Sequence, residues 1–211
     1  MKKYFYETTG MYIDWDQLKK LPEINTLIDI GVGDLGTPDL YQRFPKSKLI
    51  LVDPLDEAEQ YAKTNLTNRD YIFHKYAVGN IEEERIINIE ERTGRSTLLN
   101  VTELNYEGDP VDKKQVKIKT LDSLVEVKSL GKIGIKIDTE GFELDVIKGA
   151  TKTLTKSEFV LAEVRHNHQS FDEQYKLHEF VDLMYKNKFS LTMILTAKPL
   201  IADLCFERNT K

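Results

Sequence analysis

The sequence predicts an α/β fold built on a mainly parallel sheet covered by helices on both faces. Short apolar runs rich in β-branched residues alternate with segments of helical spacing, the order that lays helices over a parallel sheet. The first of these runs, Thr26-Leu27-Ile28-Asp29-Ile30, passes directly into a glycine-rich turn and a helix start, Gly31-Val32-Gly33-Asp34-Leu35-Gly36-Thr37-Pro38. With 211 residues, 40% of them apolar, the chain can bury one sizeable core, so 1–211 is expected to form one domain.

Strand 26–30 opens the sheet, and helix 38–44 follows, with Thr37 placed to cap it and Pro38 suited to its first turn. Leu49-Ile50-Leu51-Val52 makes a buried strand of 48–53, closed by Asp53-Pro54, and a helix is expected over 56–68. The next strand spans 71–78. Residues 82–115 break the alternation: a strand-like run at 86–89 precedes the polar, glycine-containing 91–96, and the stretch reads as an insertion or lid. Helix 121–128 and strand 133–138 restore the pattern. In helix 143–154, Ile147, Ala150 and Leu154 fall on one face, which should lie on the sheet. Strand 159–164, helix 172–187 with Tyr175, Phe180, Met184 and Tyr185, and strands 189–195 and 202–206 bring the sheet to seven strands. The lone Cys205 has no internal disulfide partner and sits in a strand alternation, which makes it a structural thiol.

Composition removes several functional classes. Thirty basic residues against 35 acidic ones, with no long basic block, argue against a general nucleic-acid binder. No stretch reaches the roughly 18 consecutive apolar residues of a membrane span. The start Met1-Lys2-Lys3-Tyr4-Phe5-Tyr6-Glu7 lacks the apolar run of a signal peptide, so a cytoplasmic protein is expected. The N-terminal segment 1–24, with Tyr4, Phe5, Tyr6, Tyr12 and Trp15, is expected to pack over the domain or against a partner chain, which leaves room for a homo-oligomer.

The glycine turn admits two cofactor classes. Gly31, Gly33 and Gly36 satisfy the G-x-G-x-x-G spacing of a dinucleotide site, and Asp53 follows about 20 residues on, where an acid holds ribose hydroxyls. Asp34 and Asp39 would set carboxylates beside a dinucleotide's pyrophosphate, at a cost on the order of kcal/mol. S-adenosylmethionine carries no phosphate but does carry an ammonium and a sulfonium, which acidic neighbours, Asp29 among them, would favour. Asp53 can accept both hydroxyls of a ribose, and Tyr76 and Ala77, in the following strand, are placed to meet an adenine. An NAD-dependent oxidoreductase is the alternative, and a non-catalytic module that keeps the fold is a third reading.

A second group of acids follows the strand Ile133-Gly134-Ile135-Lys136-Ile137, in Asp138-Thr139-Glu140-Gly141-Phe142-Glu143. At the carboxyl end of a strand, Asp138 and Glu140 can face the reacting group, contact a substrate, or hold a cation together with Glu163. His166 and His168, in Glu163-Val164-Arg165-His166-Asn167-His168, are candidate bases for deprotonating a hydroxyl. His-x-His lacks a clear third ligand, so no metal is assigned to it.

Further segments extend the pattern in order: Phe44-Pro45, Val52-Asp53-Pro54, Ala77-Val78-Gly79, Ser96-Thr97-Leu98-Leu99, Lys119-Thr120-Leu121-Asp122-Ser123-Leu124, Lys136-Ile137-Asp138-Thr139-Glu140-Gly141-Phe142-Glu143 and Val146-Ile147-Lys148-Gly149-Ala150. With the glycine loop, this series resembles the FkbM family of methyltransferases over residues 26–195. The Lys-Ile-Asp-x-Glu-Gly-x-Glu segment is the most specific part. The resemblance implies a Rossmann-like class I methyltransferase whose last strand is antiparallel, with S-adenosyl-L-methionine as methyl donor. It also implies O-methylation of a sugar, glycan or other small-molecule hydroxyl by in-line displacement. Asp29, Gly31, Gly33, Asp53, Tyr76 and Ala77 would then serve the cofactor, Asp138 and Glu140 the reaction side, and His166 the base. The loop departs from the family habit, reading Gly-Val-Gly-Asp-Leu-Gly where many relatives have Gly-Ala-Asn-x-Gly, and Asp53 stands where Glu is common.

Overall fold

The strand Thr26–Ile30 (β1) is buried at every position, as a strand covered on both faces must be. In the computed structural model, which describes residues 15–102, 110–166, 171–197 and 200–209, it lies inside a seven-stranded sheet. The chain continues through α1 (Pro38–Arg43), β2 (Lys48–Val52), α2 (Asp56–Asn65), β3 (Tyr71–His74), β4 (Ala77–Val78), β5 (Glu83–Ile89) and β6 (Asp112–Lys119). It closes with α3 (Leu121–Leu124), β7 (Ile133–Ile137), α4 (Glu143–Lys148), α5 (Thr151–Leu154), β8 (Ser157–Arg165), α6 (Leu177–Lys186), β9 (Phe189–Ala197) and β10 (Ile201–Arg208).

The large sheet runs β3-β2-β1-β7-β8-β10-β9. β3, β2, β1, β7 and β8 pair in parallel, and β10 runs antiparallel between β8 and β9. Strand order reverses between β1 and β7, and the carboxyl ends of these strands open the crevice where α/β sheets bind ligands. Alternation along the strands divides the core. Leu27, Leu49, Leu51, Phe159 and Leu161 face the layer holding Leu40, Tyr41, Ala58 and Ala62 of α1 and α2. Ile28, Ile30, Ile135, Ile137 and Val160 face Val146, Ile147, Phe180 and Met184 of α4 and α6.

The expected strand 71–78 is two strands. Tyr76 N–H bonds back to His74 O (3.0 Å), the chain turns out of the large sheet, and Ala77–Val78 joins a second sheet of order β4-β6-β5. Within the stretch 82–115, residues 83–89 and 112–115 belong to this small sheet. Its inner face, with Ala77, Ile87, Val116 and Ile118, packs on Leu55, Leu99 and Phe142. The expected helix 143–154 is broken at Gly149 into α4 and α5, and the helix expected from 172 starts at Leu177. Tyr4, Phe5, Tyr6, Tyr12 and His168 lie outside the described residues. No helix among the described residues is long and apolar enough to cross a membrane.

Candidate active site

The glycine turn is built by close contact with the neighbouring strand. Gly31 has φ +79°, and a Cβ there would stand 1.7 Å from the Asp138 carbonyl oxygen, so only glycine lets the loop cross the end of β7. Gly31 N–H bonds Val52 O (3.0 Å), and Asp138 N–H bonds Ile30 O (2.9 Å), which fastens the ends of β1, β2 and β7 together. Gly33 donates its N–H to one Asp53 carboxylate oxygen (3.0 Å), and Leu55 N–H binds the other (2.9 Å). Asp53 is 5% exposed, and burial pushes its carboxyl up from the ordinary 3.8 to about 6 against those two amides.

Two adjoining hollows open over this turn, sharing Gly31, Gly33, Gly94 and Asp138. The first is walled by Asp53, Tyr76, Ala77, Ile87, Leu98 and the turn Thr93–Gly94. Its Ile30, Val52, Leu55 and Val78 offer an apolar berth, while Asp53 supplies a buried acceptor beside it. The second, of about 330 Å³, is lined by Asp34, Arg92, Arg95, Lys136, Asp138, Glu140, Glu163 and Asp203. Its size matches the lower end of small-molecule sites, about 300–1,000 Å³. Gly31, Gly33, Asp53, Tyr76, Ala77, Asp138 and Glu140 thus border one cleft.

Two sequence-predicted residues stand elsewhere. Asp29 is fully buried beneath the loop, where it accepts from Tyr41 Oη and from Thr37 Oγ1 (3.0 Å) and faces Lys136 Nζ at 3.3 Å. It lines neither hollow, because alternation along β1 turns it toward α1 beneath the loop. His166 is exposed, its N–H bonds Leu200 O (2.9 Å), and it lines neither hollow.

Lys136 is a cleft-lining residue that the sequence reading left without a role. Its Nζ bonds Gly31 O (2.9 Å) and lies 3.4 Å from Asp138. Burial opposes its charge, but Asp29 and Asp138 outweigh burial and hold the ammonium above the ordinary lysine range. Alternation would have found it: Lys136 is an odd polar residue inside Ile133-Gly134-Ile135-Lys136-Ile137, and a buried lysine requires a buried acid.

The turn after β7 is equally fixed. Glu143, 1% exposed, accepts from Thr139 N–H (3.0 Å), Thr139 Oγ1 (3.1 Å) and Gly141 N–H (3.0 Å) with one oxygen and from Tyr175 Oη (2.8 Å) with the other. Glu140 adopts φ +49°, its carbonyl accepts Thr97 Oγ1 (2.7 Å), and its carboxylate is gripped by Arg165, which itself covers the Phe171 ring. Glu140 is therefore a clamped anion at the cleft's edge. Asp138, Glu140 and Glu163 bring carboxylate oxygens within 4.8 Å of one another, with Lys136 and Arg165 already serving the first two.

A seven-stranded sheet of this order, with one antiparallel strand and a glycine loop closing on an acid after β2, defines a Rossmann-like class I methyltransferase fold. The chain belongs to the FkbM methyltransferase family: the family's model, described as the methyltransferase FkbM domain, matches residues 29–191. Among solved structures, the fold is similar to a protein of Listeria monocytogenes described as an S-adenosylmethionine dependent methyltransferase, at 12% identity and TM-score 0.51, over 92% of this chain and 97% of that one. It is also similar to an O-methyltransferase family protein from Burkholderia thailandensis, at 10% identity and TM-score 0.50, over 92% of this chain and 55% of that one. A comparison with curated protein sequences finds no significant match.

Proposed function

We propose that the protein is an S-adenosylmethionine-dependent methyltransferase acting on a hydroxyl of a sugar or another small molecule. The observation that carries this reading is the convergence of the glycine turn, Asp53 and Asp138 on one cleft at the carboxyl ends of β1, β2 and β7. The residues fit the donor. Asp53 accepts one amide on each oxygen and keeps lone pairs for ribose hydroxyls. Thr93 Oγ1 is buried without a hydrogen-bond partner at the wall of the first hollow, where a polar ligand atom would satisfy it. The Gly33 N–H that a pyrophosphate would seek is already bound to a carboxylate, which disfavours a dinucleotide.

When bound, the donor supplies an electrophilic methyl group that an acceptor oxygen takes in line, with the acceptor's proton released and S-adenosylhomocysteine left behind. The protein's own contribution is positional. Gly31 and Gly33 bring backbone close to the donor, Asp53 holds its ribose, and the wall of Tyr76, Ala77 and Leu98 shields it from water. Asp138 borders both hollows, so its carboxylate can take the acceptor hydroxyl's hydrogen bond and aim an oxygen lone pair at the methyl group. Lys136, 3.4 Å from its carboxylate, holds Asp138 in place.

Calorimetric titration with S-adenosylhomocysteine, with NAD as matched control, tests this reading. Binding of the first alone is expected; binding of NAD alone would overturn it.

A further inference from the structure

The second hollow carries information about the acceptor, given the methyl-transfer reading above. Arg92 and Arg95 both line it. They flank Thr93 and Gly94, which wall the first hollow, so one short segment borders both the donor side and the acceptor side. Among the described residues, the arginine–carboxylate pairs are Arg43–Glu23, Arg85–Glu83 and Arg165–Glu140. Arg92 and Arg95 have neither an ion pair nor a side-chain hydrogen bond there.

Two guanidiniums facing one cavity repel each other unless they share an anion. The acids of the hollow come from the glycine turn and the ends of the large sheet: Asp138 is held by Lys136 and Glu140 by Arg165. The arginines come from the segment after β5 in the small sheet. The cavity thus carries hydrogen-bond acceptors for hydroxyls at the sheet ends and two forked donors on the 92–95 segment, where Asp34 of the glycine turn lies beside Gly94 but pairs with neither arginine. We propose that the acceptor is an acidic molecule whose carboxylate or phosphate group is gripped by Arg92 and Arg95 while the hydroxyl to be methylated lies toward Asp138. Guanidinium planes match both anions by paired hydrogen bonds.

The test is titration of the full-length protein, saturated with S-adenosylhomocysteine, with D-glucuronate and glucose 6-phosphate, using glucose and glucosamine as neutral and cationic controls. At least one acidic sugar should bind about tenfold or more tightly than glucose. R92Q/R95Q should abolish that preference and R92K/R95K should restore part of it. A preference for glucuronate identifies a carboxylate acceptor, and one for the phosphate ester identifies a phosphorylated acceptor. Equal binding of acidic and neutral sugars, preference for glucosamine, or an undiminished preference in R92Q/R95Q overturns the proposal. Should the unaltered protein fail to bind S-adenosylhomocysteine, the methyltransferase reading falls separately, and the acidic-against-neutral comparison is made on the protein alone.

Discussion

Asp29 and Lys136 are register partners across β1 and β7, and their charged atoms meet 3.3 Å apart under the glycine loop. Each occupies a position that an apolar side chain would otherwise fill, on the face of the sheet shared with Leu27 and Leu161. Lys136 then reaches the Gly31 carbonyl and Asp138, so one ammonium ties the glycine loop to an acid of the cleft.

Lys136→Met should therefore destabilise the fold by about 3–5 kcal/mol, because it strands the Asp29 carboxylate in a dry site. Urea unfolding measures the loss. K136M/D29N should recover part of it, since the uncompensated charge is removed; a double variant no more stable than K136M would mean that packing, not charge, accounts for the cost.

The large sheet was legible because its central strands β1, β2 and β7 are buried on both faces and read as apolar runs, each followed by a helix. The small sheet was not. In β6, only Val116 and Ile118 are buried, with exposed Gln115 and Lys117 beside them, so its strand period rests on two residues within Asp112-Lys113-Lys114-Gln115-Val116-Lys117-Ile118-Lys119. The cleft residues Gly31, Gly33, Asp53 and Asp138 were legible from strand ends, whereas Asp29 was misplaced because proximity to the loop in sequence says nothing of which face of β1 a side chain takes. His166 likewise lies off both hollows, since a position beyond a strand end can face solvent as readily as the cleft.

Tyr175→Phe should cost about 1.5–3 kcal/mol, the range for a hydrogen bond to a charged group. It removes the donor to Glu143 from a site that burial already makes hostile to a carboxylate, raising that carboxyl above its ordinary range. Chemical denaturation gives the number, and a change within about 0.5 kcal/mol of zero, as for an uninvolved surface site, would show that Glu143 does not need this donor.

Donor binding should depend on pH through Asp53. Its carboxyl is raised to about 6, so the folded chain takes up a proton more readily than the unfolded one. The stability from this uptake is fully present below about pH 4 and is lost as pH rises through about 6. Ribose hydroxyls donate to the ionised form and so expel the proton. Affinity for S-adenosylhomocysteine should therefore fall by up to about tenfold per pH unit below about 6 and level off above it. Calorimetry from pH 5 to 8 checks this, and D53N should bind more weakly with that pH slope removed.

Gly33→Ala tests whether the glycine turn and the 93–95 segment close on each other as parts of one donor site. Gly33 has φ +59°, where an L side chain costs about 1–2 kcal/mol, and a Cβ there would stand 2.9 Å from the Cα of Gly94. That contact is backbone and cannot swing aside, so the 93–95 turn must shift outward and carry Thr93 away from the cleft. The Asp53 bond to the Gly33 amide would be disturbed by the same movement. Donor affinity should fall by about tenfold or more while the melting temperature drops by only a few degrees, as the large sheet is untouched. Gly94→Ala is the matched control: its Cβ would meet Asp34 Oδ1 at 3.3 Å, the end of a side chain that can give way, so affinity should fall far less. Unchanged donor affinity in G33A would mean that the segment tolerates displacement and that the donor is held by the large sheet alone.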